Sequence, residues 1–246
     1  MFRFLRFLTG AALIPLCVAA TLSLLDVLRR IPGSHALMSP ETVWLLTGFL
    51  LWIAMWILLP PPVKMYVVGH ELTHVLWGWL FGARAHDLRF SDRGGSVRLS
   101  KSNLLITLAP YFFPFYTMLV ILAHFLTGLF VNPLPAPLAW LFLIGLTWGF
   151  HVTFTLQSLT ITQPDIQEYG RLFSYAVIYL INLAGVSLWV VCATRATLMD
   201  FGTSLIVHTI SVYGAVRDEI ATRGQFFGEL LAASAEKVRT LLHYRG

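Results

Sequence analysis

Charge is scarce in this chain. Only 12% of its 246 residues are Asp, Glu, Lys or Arg, about half the share a soluble globular domain carries. The shortage excludes an ordinary solvated surface. With 57% of residues hydrophobic, it points to a polytopic membrane protein. Acidic residues number 12 against 17 basic ones, a formal net charge of +5. That excess is small and sits in loops and at the ends, so no nucleic-acid partner is expected. Cysteine is nearly missing: Cys17 and Cys192 are the two, each inside an apolar run. This excludes a disulfide framework and a Cys-rich metal site, and both read as small packing residues. Internal repeats and low-complexity tracts are lacking as well.

What is present is a series of apolar runs. Six segments, about 7–28, 43–59, 65–81, 104–130, 138–162 and 172–194, have spanning or near-spanning length. The first follows a basic start, Met1 to Arg6, as a signal peptide would. Its apolar run continues to about Leu28, interrupted only by Asp26, so it reads as an uncleaved transmembrane helix. Pro60-Pro61-Pro62 and Pro133, Pro135 and Pro137 mark connections, because proline removes a backbone donor and breaks helices. The segment from Gly82 to Asn103 reads as a hairpin. Leu88 and Phe90 alternate with Asp87 and Arg89, Val97 and Leu99 with Arg98 and Ser100, and Gly94-Gly95 supplies the turn. After Arg195 the pattern changes. Phe201 to Val216 is apolar but holds Ser204, His208 and Ser211, which leaves a seventh span open. Phe227, Leu230, Leu231, Ala235, Val238, Leu241 and Leu242 follow the spacing of an interfacial amphipathic helix. The expected fold is an all-α polytopic membrane protein with about six transmembrane helices and a small β-hairpin.

One apolar segment carries His70-Glu71-Leu72-Thr73-His74. On a helix, residues four apart share a face, so the two imidazoles are spaced to grip one zinc ion. The glutamate between them is placed to act as general base on a water. The flanks, Met65 to Gly69 and Val75 to Phe81, are apolar. Ionisable groups are costly in such surroundings and mark a functional site.

A catalytic zinc requires a third protein ligand and one open position. Asp165, in Gln163-Pro164-Asp165-Ile166, is the best candidate, and Glu168 is the alternative. The fifth segment carries His151, Thr155, Ser158, Thr162 and Asp165 at offsets 0, 4, 7, 11 and 14, one face of a helix. Thr and Ser there also fit interhelical hydrogen bonding. His151 reads either as a group orienting or stabilising the reacting centre or as a structural residue. His124 reads as structural; His35, His86, His208 and His243 fall in or near loops and the tail, where solvated histidine is the default.

Val68-Gly69-His70-Glu71-Leu72-Thr73-His74, followed by Phe81-Gly82-Ala83-Arg84, a hairpin and a distant Gln163-Pro164-Asp165, resembles the site-2 protease family of intramembrane zinc metallopeptidases. The likeness is to its compact branch without a PDZ domain, and it covers roughly Lys64 to Tyr169. The resemblance implies His70, His74 and Asp165 as zinc ligands, Glu71 as catalytic base and a membrane-associated β-hairpin. Gln163 stands where the family often has Asn, and Ile166 where it often has Gly. The resemblance divides the chain into N-terminal transmembrane helices (1–63), a metallopeptidase membrane core (64–194) and a C-terminal amphipathic tail (195–246). It implies a multi-pass protein of the bacterial cytoplasmic (inner) membrane.

The expected activity is zinc-dependent cleavage of peptide bonds in or near transmembrane segments of membrane proteins. The expected partners are a transmembrane protein substrate, the lipid bilayer and a regulatory membrane protein. A membrane zinc hydrolase acting on a lipid or prenylated peptide is one alternative; a non-catalytic membrane adaptor or transporter is another. Arg84, Arg89, Arg93, Arg98 and Lys101 crowd the loop after the HExxH segment, and Arg29 and Arg30 the first loop. The positive-inside rule puts both loops in the cytoplasm. Asp165 then lies towards the same side, and Arg3 and Arg6 on the opposite one.

Overall fold

The computed structural model describes residues 2–30, 39–91, 94–131, 136–193 and 196–243. Among them the helices are α1 (Phe2–Arg30), α2 (Pro40–Leu58), α3 (Val63–Leu80), α4 (Leu104–Leu108), α5 (Phe115–Phe130), α6 (Pro137–Thr160), α7 (Pro164–Tyr169), α8 (Arg171–Ala193) and α9 (Leu198–His243). Between α3 and α4 lie strands β1 (Ala85–Ser91) and β2 (Gly94–Leu99), and a single 3-10 turn, Ala109–Tyr111, follows α4.

Four helices are long and apolar enough to cross a membrane: α1, α2, α6 and the Arg171–Val191 part of α8. The expectation of six such segments is corrected in two places. Leu104–Tyr111 and Phe115–Phe130 meet at an angle of 85°, so 104–130 is a broken pair that makes at most a fifth span. Pro110 and Pro114 lie at the break, where each removes a backbone donor. The HExxH helix α3 has 18 residues, about 27 Å, and interrupts its apolar face with Lys64, His70, Glu71 and His74. It is not among the long apolar helices.

Small residues let the long helices touch backbone to backbone, as helices do where water does not drive packing. α2 runs parallel to α6. A Cβ on Gly48 would collide with the Phe142 carbonyl, and one on Gly145 with the Leu45 carbonyl. Further along, Trp52 packs on Phe150 and Trp56 on Phe154. α1 runs parallel to α8. Gly10 lies against the backbone of Phe173, the Thr21 and Tyr179 hydroxyls are 2.6 Å apart, and Leu24 and Val27 meet Val190.

The amphipathic stretch of the tail is not a separate helix. α9 is continuous over 46 residues. It starts with a reciprocal cap, in which Thr197 N–H donates to Asp200 Oδ2 at 2.8 Å and Asp200 N–H to Thr197 Oγ1 at 3.1 Å. The Thr197 hydroxyl also donates to Asp200 Oδ2 at 2.7 Å, and this bond, with that of the Thr197 N–H, holds the Asp200 carboxyl below its ordinary pKa. The first half of α9 packs antiparallel on α1, where the Tyr213 hydroxyl donates to the Ala12 carbonyl at 2.6 Å. From Arg217 to Ala235 every residue is exposed. His208, expected to be solvated, instead pairs with Asp26 of α1 at 2.6 Å.

β1 and β2 form the antiparallel hairpin. Ser91 pairs with Gly94, so Gly94-Gly95 opens β2 and is not the turn; Asp92 and Arg93 between them lie outside the described residues. A bulge sets Asp87 and Leu88 opposite Val97. Asp87 takes φ +51° there, the left-handed region that Asp tolerates better than most residues, and its carboxylate meets Arg98 at 3.3 Å. His35, Pro133, Pro135 and the side chains of Cys192, Val238, Leu241, Leu242 and His243 also lie outside the described residues.

Candidate metal centre

The centre is assembled from three places in the chain. α3 is its platform. Val67, Gly69, Glu71, Thr73, His74, Val75 and Gly78 are buried along it, and the i, i+4 spacing puts His70 and His74 on one face with ring centroids 5.0 Å apart.

α4 orients one imidazole. Asn103 caps it, accepting the Ile106 N–H at 2.9 Å. Ile106 is among the last four residues of this helix, whose carbonyls lack an intrahelical partner. The carbonyl of Ile106 accepts a hydrogen bond from His74 Nδ1 at 2.9 Å. That bond fixes the tautomer in which Nε2 is a free lone pair. His70 is held similarly: its Nδ1 lies 3.1 Å from the Tyr66 hydroxyl, which is itself 2.5 Å from Ser158 Oγ of α6.

α7 brings the carboxylate. The expected helical face breaks at this point. α6 ends at Thr160, residues 161–163 are outside any helix, and Asp165 lies in the first turn of separate α7. His151, Thr155 and Ser158 share the α6 face; Thr162 is exposed beyond its end. α7 is pinned by Ile166, 2% exposed, which packs with Leu108, Tyr111 and Ile178. The Ile166 carbonyl also accepts the Ser174 hydroxyl at 3.1 Å. A glycine at 166 would forfeit this anchor.

Asp165 Oδ2 lies 3.3 Å from His70 Nε2 and 3.5 Å from His74 Nε2. One ligand atom from each of the three residues falls within 4.8 Å of the others. These separations are long for hydrogen bonds. They suit a shared ion: bonds of about 2.0–2.1 Å in a tetrahedron set its ligand atoms about 3.3–3.4 Å apart. The set of two imidazoles and one carboxylate can hold a divalent metal. Tyr111, which sequence reasoning missed, donates its hydroxyl to the same Asp165 oxygen at 3.1 Å. Its own carbonyl is fixed by the Asn182 side chain of α8 at 2.9 Å. Only the i−4 spacing of Tyr66 from His70 was visible in the sequence; nothing local marked Tyr111 or Asn182.

Glu71 is 8% exposed, and its carboxylate has no hydrogen bond among the described residues. It lies beneath the hairpin. A Cβ on Gly95 would come within 2.5 Å of Glu71 Cγ and 2.7 Å of Val67 Cγ1. Glycine is required here by close approach, and Leu99 continues the contact onto Gly78.

His151 is brought beside the centre and not into the ligand set. It lines a cavity of about 20 Å³ with His70, Tyr66 and Tyr116, room for roughly one water. Its Nε2 is buried without a hydrogen-bond partner among the described residues. Glu168 is exposed and outside the cluster.

Glu168 also corrects the expected sidedness. Arg6 Nη1 donates to its carbonyl, and the Arg6 guanidinium lies 4.8 Å from the centre of the Tyr169 ring. Arg3 and Arg6 therefore share the Asp165 end of the molecule. Arg29 and Arg30 lie at the other end of α1, about 35–40 Å away along the helix. Both ends of α1 are basic, so counting loop charges alone misassigned them. Comparison with protein-family models, curated proteins and solved structures finds no match to this chain.

Proposed function

We propose that this chain is a membrane-embedded zinc metalloprotease that hydrolyses peptide bonds in or near transmembrane segments of other proteins. The observation that carries the reading is the convergence of His70, His74 and Asp165 beside an unpaired, mostly buried glutamate. Two nitrogens and one carboxylate oxygen are a donor set that suits zinc and leaves a fourth position open. When bound, zinc supplies a Lewis acid and lowers the pKa of a coordinated water towards neutral.

The protein's own groups do the rest. The Ile106 carbonyl and the Tyr66 hydroxyl orient the two imidazoles. Tyr111 and the Ile166 anchor hold the Asp165 carboxylate. Glu71 Oε accepts the proton of the attacking water and delivers it to the leaving amide nitrogen. The two-stranded hairpin leaves one edge of each strand unpaired, and one such edge receives the unwound substrate as an added strand. Its β2 lies over Glu71, so a strand added there brings its peptide groups to the general base. The bilayer and a membrane protein that presents or regulates the substrate complete the partners. The bacterial inner membrane as location rests on the family resemblance alone.

An unpaired Glu71 favours chemistry over a purely binding role, since metal binding needs no general base. The decisive experiment compares membrane-protein fragments in cells carrying the wild type or Glu71→Gln, with metal content measured on both purified proteins. Fragments present only with the wild type, at equal metal content, support the proposal. Identical fragment patterns at equal metal content overturn it.

A further inference from the structure

A second cavity, of about 420 Å³, opens where α1 and α8 begin. Arg3 and Arg6 of α1, Arg171 of α8, and Glu168 and Tyr169 of α7 line it. Both α1 and α8 are long and apolar enough to cross a membrane, and they run parallel. Their first residues therefore lie at one level, the level at which such helices enter the headgroup layer. Phe2, Phe4 and Phe7 on the same turns of α1 are exposed apolar side chains, the environment of an acyl chain. The cavity thus joins a cationic floor to a lipid-facing rim.

The charges are unequally occupied. Arg6 is spent on the Glu168 carbonyl and the Tyr169 ring. Arg3 and Arg171 have no ion-pair partner among the described residues, and the lining holds a single carboxylate, Glu168, against three guanidiniums. Guanidinium groups bind phosphate oxygens in a fixed fork, and free ones clustered at a membrane surface attract anionic headgroups.

We propose that this cavity is a binding site for the phosphate headgroup of an anionic phospholipid, held by Arg3 and Arg171 with Arg6 behind them. Occupancy has a mechanical consequence. Glu168 and Tyr169 lie about one turn of α7 from Asp165, so a headgroup seated there clamps the short helix that carries the third candidate metal ligand. The site stands independently of the proposed proteolysis, because its ligands touch none of the metal-cluster residues.

The test is lipid retention. The delipidated protein in detergent is incubated with phosphatidylglycerol, with phosphatidylcholine or with inorganic phosphate, and bound species are weighed by native mass spectrometry. Phosphatidylglycerol is expected to be retained over phosphatidylcholine. Arg3→Gln and Arg171→Gln should each weaken that retention about fivefold. Arg217→Gln, on the exposed half of α9 where Arg217 pairs with Asp218 at 2.8 Å, should leave it unchanged. Equal retention of the two lipids overturns the proposal. So does an equal loss in Arg217→Gln, which would mean diffuse charge attraction. Displacement of phosphatidylglycerol by millimolar inorganic phosphate also overturns it, assigning the cavity to a soluble phosphate. If Arg3→Gln and Arg171→Gln elute as aggregates, Arg3→Lys and Arg171→Lys replace them; these keep charge and lose the fork, and retention at the wild-type level would remove the arginine assignment.

Discussion

Two histidine–aspartate clusters lie among the apolar helices of this chain, and their geometries differ. Between α1 and α9, His208 Nε2 and Asp26 Oδ2 are 2.6 Å apart. Ser204 Oγ at 3.4 Å and an Arg29 guanidinium at 3.7 Å complete the carboxylate's surroundings. That cluster is closed: each group is spent on another. At α3 and α7 two imidazoles face one carboxylate at 3.3 and 3.5 Å, and their other ring nitrogens are already engaged by Ile106 and Tyr66. The outer bonds are made and the inner ones are left open. A short pair fastens helices together; a loose triad with satisfied outer bonds could hold an ion between its members.

The largest effects should separate the two clusters by metal content. Asp165→Ala or His70→Ala is expected to reduce bound zinc from about one per chain to background and to abolish cleavage. Asp26→Ala should leave zinc unchanged, measured by elemental analysis of the purified proteins. Zinc retained in Asp165→Ala would break the comparison and transfer the third ligand elsewhere. Next, Glu71→Gln should keep its zinc and lose about 10²–10⁴-fold in cleavage rate; a normal rate would remove Glu71 as general base. Tyr111→Phe deletes the hydroxyl that supports Asp165. It should weaken metal affinity about 10–100-fold, read by competition with a chromogenic chelator.

Smaller effects test the hairpin and the closed pair. Gly95→Ala inserts a methyl against Glu71, and overpacking of this kind costs about 1–3 kcal/mol. Lower cleavage with full zinc content is expected, and unaltered kinetics would mean that the hairpin rides clear of the site. His208→Ala leaves the Asp26 carboxylate without its nearest partner. It should lower the Tm without touching zinc content, and any zinc loss would show that the two clusters are coupled.

The HExxH pair was legible because both histidines belong to one helical turn, and helical periodicity is a local property. The apolar spans were legible for the same reason. Asp165 was found by a weaker argument: a helical face continued through Pro164, although the helix ends before it. The structure does bring Asp165 to the two histidines, but from the first turn of a separate helix. Pro110 and Pro114 were equally visible, yet 104–130 reads as one span when only hydrophobicity is counted. The hairpin was recognised from its alternation, but its glycines were given to the turn. They open β2, where Gly95 is demanded by Glu71 across the packing and not by loop geometry.

By itself the sequence determined that this chain forms apolar helices, sets two histidines and a glutamate on one helical turn, and folds a hairpin after them. The tertiary structure alone decided which carboxylate closes the triad, that Tyr111 and the Ile106 carbonyl support it, that β2 covers Glu71, and that Arg6 shares the Asp165 end of the molecule. The physical reason is the range of the forces. Hydrophobic period and backbone propensity act within a few residues and write themselves into the local pattern. Contacts between His70 and Asp165, or Gly95 and Glu71, depend on where helices end and how their surfaces pack, which no window of sequence contains.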